Sequence, residues 1–177
     1  SATGIDVNVS GANAIVRRAR VTGSNIAASA MFSGKLTLTD SLLLVSSSSG
    51  RGLVVGDSNN NGTNASSIDA RRVTIVGTGT GNQIGVAVGD GGNGESDQHS
   101  ITLSDSIVSG IPHALSCSAP AGAATNLITV NKTALPAGYT TTNTCTDNGP
   151  GITLNGVTTL APVFADAAGG DYRPVHT

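Results

Sequence analysis

The stretch GLVVGDSNNNGTNASSI, residues 52–68, returns 33 residues later as GVAVGDGGNGESDQHSI, residues 85–101. Gly52/Gly85, Val55/Val88, Gly56/Gly89, Asp57/Asp90, Asn60/Asn93, Ser67/Ser100 and Ile68/Ile101 are identical, without a gap. A repeat of this period is one supersecondary unit stacked on its neighbour, which constrains the fold more tightly than any composition can. After each copy comes a short run, IDARRVTI (68–75) or ITLSDSIV (101–108). Related runs stand earlier, IVRRARV (15–21) and LTLTDSLL (36–43), and later, ITVNKTAL (128–135).

Aligned, the runs share one pattern of inward residues: Val16-Ala19-Val21, Leu38-Ser41-Leu43, Ala70-Val73-Ile75, Leu103-Ser106-Val108 and Val130-Thr133-Leu135. Successive copies lie 22, 32, 33 and 27 residues apart. A constant strand pattern with variable spacing predicts one solenoid coil per copy, with loops of different length inserted between strands. The runs are β-branched, alternate at period two and are bounded by Gly, Ser and Asn clusters, so they are strands and not helices. GLVVG, GVAVG and IPHALS (111–116) supply a second strand per coil. Stacked in register at about 4.8 Å, such strands make a parallel β-helix with a continuous aliphatic column.

The residue at the bend after each repeated strand reads Arg18, Asp40, Arg72, Asp105, Lys132, with the sign alternating through five coils. Stacked opposite charges attract and like charges repel. A charge ladder is therefore preferred over a reading of Arg18 or Arg72 as substrate-binding arginines.

Charged residues make up only 11% of the chain and the net charge is −2, so there is no basic stripe for nucleic acid. No apolar run approaches the length of a transmembrane helix; LTLTDSLLLVSSSSG (36–50) is the most apolar and Asp40 interrupts it. The N-terminal SATG has neither the basic nor the apolar region of a signal peptide. Cys117 and Cys145 lie 28 residues apart in polar, turn-rich surroundings without metal-ligand spacing. They are read as a disulfide if the compartment is oxidising, and as two free thiols otherwise.

The coil motif ITLSDSIVSG resembles the right-handed parallel β-helix repeat of the pectate-lyase-like superfamily. The segment LAPVFADAAGGDYRP (160–174) resembles the closing motif of secreted bacterial β-helix proteins with anchor-type C-termini, through Pro162, Phe164, Asp166, Gly170, Asp171, Tyr172 and Arg173. Ala161 and Pro174 depart from that motif, and its usual continuation is missing. The resemblance implies an all-β, right-handed parallel β-helix of about five to six coils. Residues 5–135 would form the coils and 136–177 an irregular closing segment of a single domain. It also implies a plug of Phe164 and Tyr172 over the end of the column; a sugar-stacking role is the alternative for Tyr172. No capping helix precedes the first coil, so the chain is expected to be the C-terminal part of a longer, secreted or cell-surface protein.

For function, three readings compete. A polysaccharide lyase or glycoside hydrolase would need clustered carboxylates, two of them about 5 to 9.5 Å apart in a hydrolase. The outward column Arg17, Thr39, Arg71, Ser104, Asn131 contains none, and His99, His113 and His176 are scattered. A metal-organised surface would use the two duplicated loops. The first opens like an EF-hand but carries Ile68 where the closing Glu belongs. Asp57, Asn59, Asn61, Asp90, Asn93, Glu95 and Asp97 are the oxygen ligands calcium would take there, whereas Asp-capped turns need no metal at all. The third reading is a structural or adhesive module with polysaccharide or cell-envelope matrix as partner. It is the one adopted, with the carbohydrate-active enzyme as runner-up. An ice-binding array, hinted at by LTLT (36–39), is disfavoured by Arg17 and Arg71 in the outward column.

Overall fold

The computed structural model describes residues 3–22, 25–57, 65–90, 98–118, 125–145, 151–159, 162 and 164–175. The chain winds through three sheets per turn. The first coil is β1 (Thr3–Val7), β2 (Asn13–Arg17) and β3 (Arg20–Thr22); the second is β4 (Ile26–Met31), β5 (Lys35–Thr39) and β6 (Leu42–Val45). The third is β7 (Arg51–Asp57), β8 (Ser67–Arg71) and β9 (Thr74–Gly77), and the fourth β10 (Ile84–Asp90), β11 (Ser100–Ser104) and β12 (Ile107–Ser109). The fifth coil has β13 (His113–Cys117) and β14 (Leu127–Asn131), and the sixth β15 (Thr140–Asn143) and β16 (Ile152–Asn155). In these two coils single bridges at Ala134 and Thr158 stand in for the third strand. An antiparallel hairpin, β17 (Phe164–Asp166) and β18 (Asp171–Pro174), follows.

The first strands of all coils form sheet A, in order β1-β4-β7-β10-β13-β15, and the second strands form sheet B. β3, β6, β9 and β12 form sheet C. All three are parallel, and the chain is a right-handed parallel β-helix. The register is the one the repeat implies: Arg17, Thr39, Arg71, Ser104 and Asn131 are successive partners across sheet B. Coiling continues past residue 135, where the sequence reading placed an irregular segment. Ile152–Asn155 pairs with β14 residue for residue. The sixth copy escaped notice because its sheet A strand, TTTN, is exposed along its whole length and carries no apolar signature.

The core is a set of stacked ladders. Leu36, Ile68, Ile101 and Ile128 are mutual partners, as are Leu38, Ala70, Leu103 and Val130, and none is more than 1% exposed. Space for the branched side chains of sheet C comes from small residues on sheet A. A Cβ on Gly52 would lie 2.6 Å from Ile75 Cγ2, and one on Gly85 2.9 Å from Val108 Cγ1.

Between sheets B and C the backbone turns through one left-handed residue per coil. Arg18, Asp40, Arg72, Asp105 and Lys132 have φ of 54°, 53°, 53°, 50° and 47°, and Gly156 occupies the same place in the sixth coil at 62°. In the first five coils the amide of this residue reaches the next coil, as Arg18 N to Thr39 O and Asp105 N to Asn131 O, both 3.0 Å. The residue that follows points inward. Where it carries a hydroxyl, the group closes two backbone valences at once. Ser106 Oγ donates to Ser104 O at 2.7 Å and accepts from Val73 N at 3.0 Å, and Ser41 does the same for Thr39 and Ala19. Buried backbone groups must be paired, which is why Ser and Thr sit inside an aliphatic column here.

A left-handed conformation costs an L-residue about 1 to 2 kcal/mol. Lys132→Gly is therefore expected to leave the protein as stable or slightly more so, and Lys132→Val to lower the denaturation midpoint; urea titration of both variants checks this.

Before sheet B a second polar column runs through the bends. Ser33 N donates to Ser66 Oγ at 2.9 Å, Ser66 N to His99 Nδ1 at 3.4 Å, and His99 N to Asn126 Oδ1 at 3.2 Å. His99 is thus a fully buried structural histidine. Cys117 and Cys145 form a disulfide, with Cα atoms 5.8 Å apart. Cys117 continues the inward column Val7, Ala30, Val55, Val88, so the bridge closes that column at the last coil.

Candidate groove on sheet A

The outer side of sheet A is concave. Its middle outward column, Asp6, Ser29, Val54, Ala87, Ser116, is made of short side chains, and Gly56 and Gly89 follow at the strand ends. Ser29, Val54 and Ala87 are no more than 5% exposed although they face away from the core. The result is a groove of about 510 Å³ running across five strands, flanked by Ile26, Arg51 and Ile84 on one side and Met31 and Phe32 on the other.

Phe32, Asp6 and Arg51 all line the groove, and the sequence reading singled out none of them. Phe32 stands at φ 50° with Ser33 at 62°, in the turn between β4 and β5. A left-handed backbone at a bulky aromatic is uncommon and is sustained only where the surroundings over-determine it. The available signal was a lone aromatic before Ser-Gly in a chain with four aromatics. Asp6 and Arg51 are the ionisable side chains among the described lining residues. Asp6 Oδ1 accepts a 2.6 Å hydrogen bond from the buried Ser29 Oγ, which anchors the carboxylate at one end of the floor.

Asp57 and Asp90 are backbone partners at the ends of β7 and β10, beside this groove. Asn59, Asn61, Asn93, Glu95 and Asp97 lie outside the described residues. His113, on β13, is held between Thr140 Oγ1 at 3.3 Å and Thr142 Oγ1 at 3.2 Å, and His176 is outside the described residues. On sheet B the middle outward column reads Ile15, Thr37, Asp69, Thr102, Thr129, Thr153, a threonine-rich face broken by one carboxylate.

At the bends, Arg72 Nε and Nη2 clasp the two Asp40 oxygens at 2.6 and 3.0 Å. Asp105 is paired instead with the outward neighbour Arg71, at 3.1 Å. The Arg72 guanidinium, helped by Arg18 and Arg17, holds the Asp40 carboxyl below its ordinary range.

Phe164 and Tyr172 meet edge to face, with centroids 5.5 Å apart and planes at 78°. Their hairpin lies along the flank of the first three coils, where Arg20 Nη1 donates to Gly170 O at 3.3 Å. Among the described residues, the partly buried aromatic packed on the apolar column is Tyr139, with Ile152 and Val157, near the last coil.

On the hairpin, Arg173 binds Asp171 through Nε and Nη2, which lowers the Asp171 carboxyl to about 2 from an ordinary 3.8. A carboxyl depressed in the folded state contributes its stability above pH 3.8, and that contribution is lost as pH falls towards 2. NMR titration of Asp171 is expected to give a midpoint near 2, returning towards 3.8 in Arg173→Gln.

Fold and groove together define the class: a parallel β-helix with an axial cleft on one sheet. No family model, curated protein or solved structure matches the chain.

Proposed function

We propose that this domain is a non-catalytic extracellular β-helix module that contacts polysaccharide through the groove on sheet A. The observation that carries the reading is the groove itself. It follows the helix axis across five strands, so it has the length to accommodate an extended chain. Short side chains on the floor leave room for a polymer, while Phe32 offers an apolar face and Asp6 and Arg51 offer hydrogen bonds. Polar groups that fix orientation, set among apolar ones, are what a ligand cleft needs. The disulfide supports an oxidising, extracellular setting. Hydrolysis by paired carboxylates would require a second acid about 5 to 9.5 Å from the first, and the described lining carries only Asp6.

The test is binding and turnover measured together on a panel of plant, bacterial and matrix oligosaccharides. Ala87→Trp fills the floor from outside the core and is expected to weaken binding by about tenfold or more, with the thermal midpoint unchanged. Equal binding by that variant, or no binding by the wild type, rejects the groove. Release of reducing ends or unsaturated sugars would replace this reading with the lyase or hydrolase.

A further inference from the structure

A second cleft, of about 630 Å³, opens on another flank, between the C-terminal hairpin and the bends of the first three coils. Its charges do not cancel. Four guanidiniums line it, those of Arg18, Arg20, Arg72 and Arg173, against two carboxylates, Asp40 and Asp171. Both carboxylates are already taken, Asp40 by Arg72 and Asp171 by Arg173. Among the described residues neither Arg18 nor Arg20 has a carboxylate within ion-pair distance. Arg20 spends one donor on Gly170 O, which fixes it under the hairpin and leaves its other N–H groups free of any carboxylate. A chain with a net charge of −2 thus concentrates two uncompensated positive charges in one concave place.

We infer that this cleft is an oxyanion-binding site, taking the carboxylate, sulfate or phosphate substituent of an acidic polymer that lies along the flank. Guanidinium forks suit such groups because they pair with two oxygens at once and are more weakly hydrated than an ammonium. Concave walls also focus the field of the two arginines and raise the local concentration of anions. Tyr172, half-buried beside Phe164, forms part of the same wall and gives the polymer a ring to lie against. The site is separate from the sheet A groove and does not depend on the function proposed for it.

The experiment is calorimetric titration of the intact, disulfide-bonded chain at low salt with three probes: inorganic sulfate, an oligouronate and a sulfated oligosaccharide. Binding that weakens with added salt is expected for at least one of them. Sulfate alone binding marks a site for a bare oxyanion; preference for one oligomer identifies the substituent. The variant Arg18→Asn with Arg20→Gln keeps a residue tolerant of the left-handed bend at 18 and is expected to lose about tenfold or more in affinity. Lys35→Gln with Lys132→Asn removes the same charge elsewhere and is expected to bind as the wild type does. An equal loss in both double variants, or no binding of any probe, overturns the site. Should the arginine variant fail to fold, amide shifts on titrating the wild type decide: perturbation at residues 18–20 and 169–173 supports the cleft, and perturbation confined to other residues overturns it.

Discussion

Gly52→Val is expected to prevent folding, or to lower stability by more than about 3 kcal/mol, the upper end of ordinary overpacking. The reason is that the clash is with backbone. A Cβ at residue 52 would stand 2.4 Å from the Gly85 carbonyl oxygen and 2.6 Å from Ile75 Cγ2. The Ile75 contact could be relieved by trimming that side chain. The carbonyl cannot move, because Gly85 lies between residues that pair with β7 on both sides, Ile84 with Arg51 and Val86 with Leu53. Shifting it would separate the third and fourth coils in the middle of the stack. Gly52→Val combined with Ile75→Ala is therefore expected to remain unfolded by circular dichroism and amide dispersion. Recovery of the double variant would show that side-chain crowding, and not strand separation, limits this position.

Removal of the Cys117–Cys145 bridge is expected to cost about 3 to 4 kcal/mol for a closed loop of this length. Its location makes the loss local at first. β15 is exposed on all four residues and rests on β13 through hydrogen bonds, with little apolar burial of its own. Without the covalent tie the sixth coil has little to hold it. Chemical denaturation with and without reductant is expected to show a lower midpoint. A smaller denaturant slope is expected as well, because less surface remains to be exposed when the last coil is already open. Hydrogen exchange should locate the loss of protection at residues 140–155 before the central coils. An unchanged midpoint under full reduction would mean that packing by Tyr139, Ile152 and Val157 is sufficient to close the column.

Legibility differed from element to element. The inward triplets were readable because a strand's faces alternate with a fixed period, and the seven identities between residues 52–68 and 85–101 set the register. The bend residues were visible as an alternation of charge. Their shared left-handed backbone was not, since Arg, Asp and Lys are unremarkable at any exposed position; only the glycine at 156 hinted at it. The charges themselves divide differently from a simple ladder, because Arg71 and Arg72 point to different neighbours and each takes one aspartate. The cysteines left two readings open, and the fold joins them by bringing the ends of β13 and β15 together.

The groove was harder to foresee. GLVVG and GVAVG read as strands, yet nothing in either says that its outward side is hollow. That depends on short residues being stacked from five coils, Asp6 to Ser116, and on Phe32 being turned onto the rim. The arginine cleft was harder still: Arg20 and Gly170 are 150 residues apart, and Gly170 belongs to no repeat. By itself the sequence determined the coil, its strands and their order of stacking, because those contacts are between neighbouring copies and leave a periodic trace. Tertiary structure alone decided which faces became clefts and where the closing hairpin lies, because contacts between surfaces of unequal kind repeat nowhere in the chain.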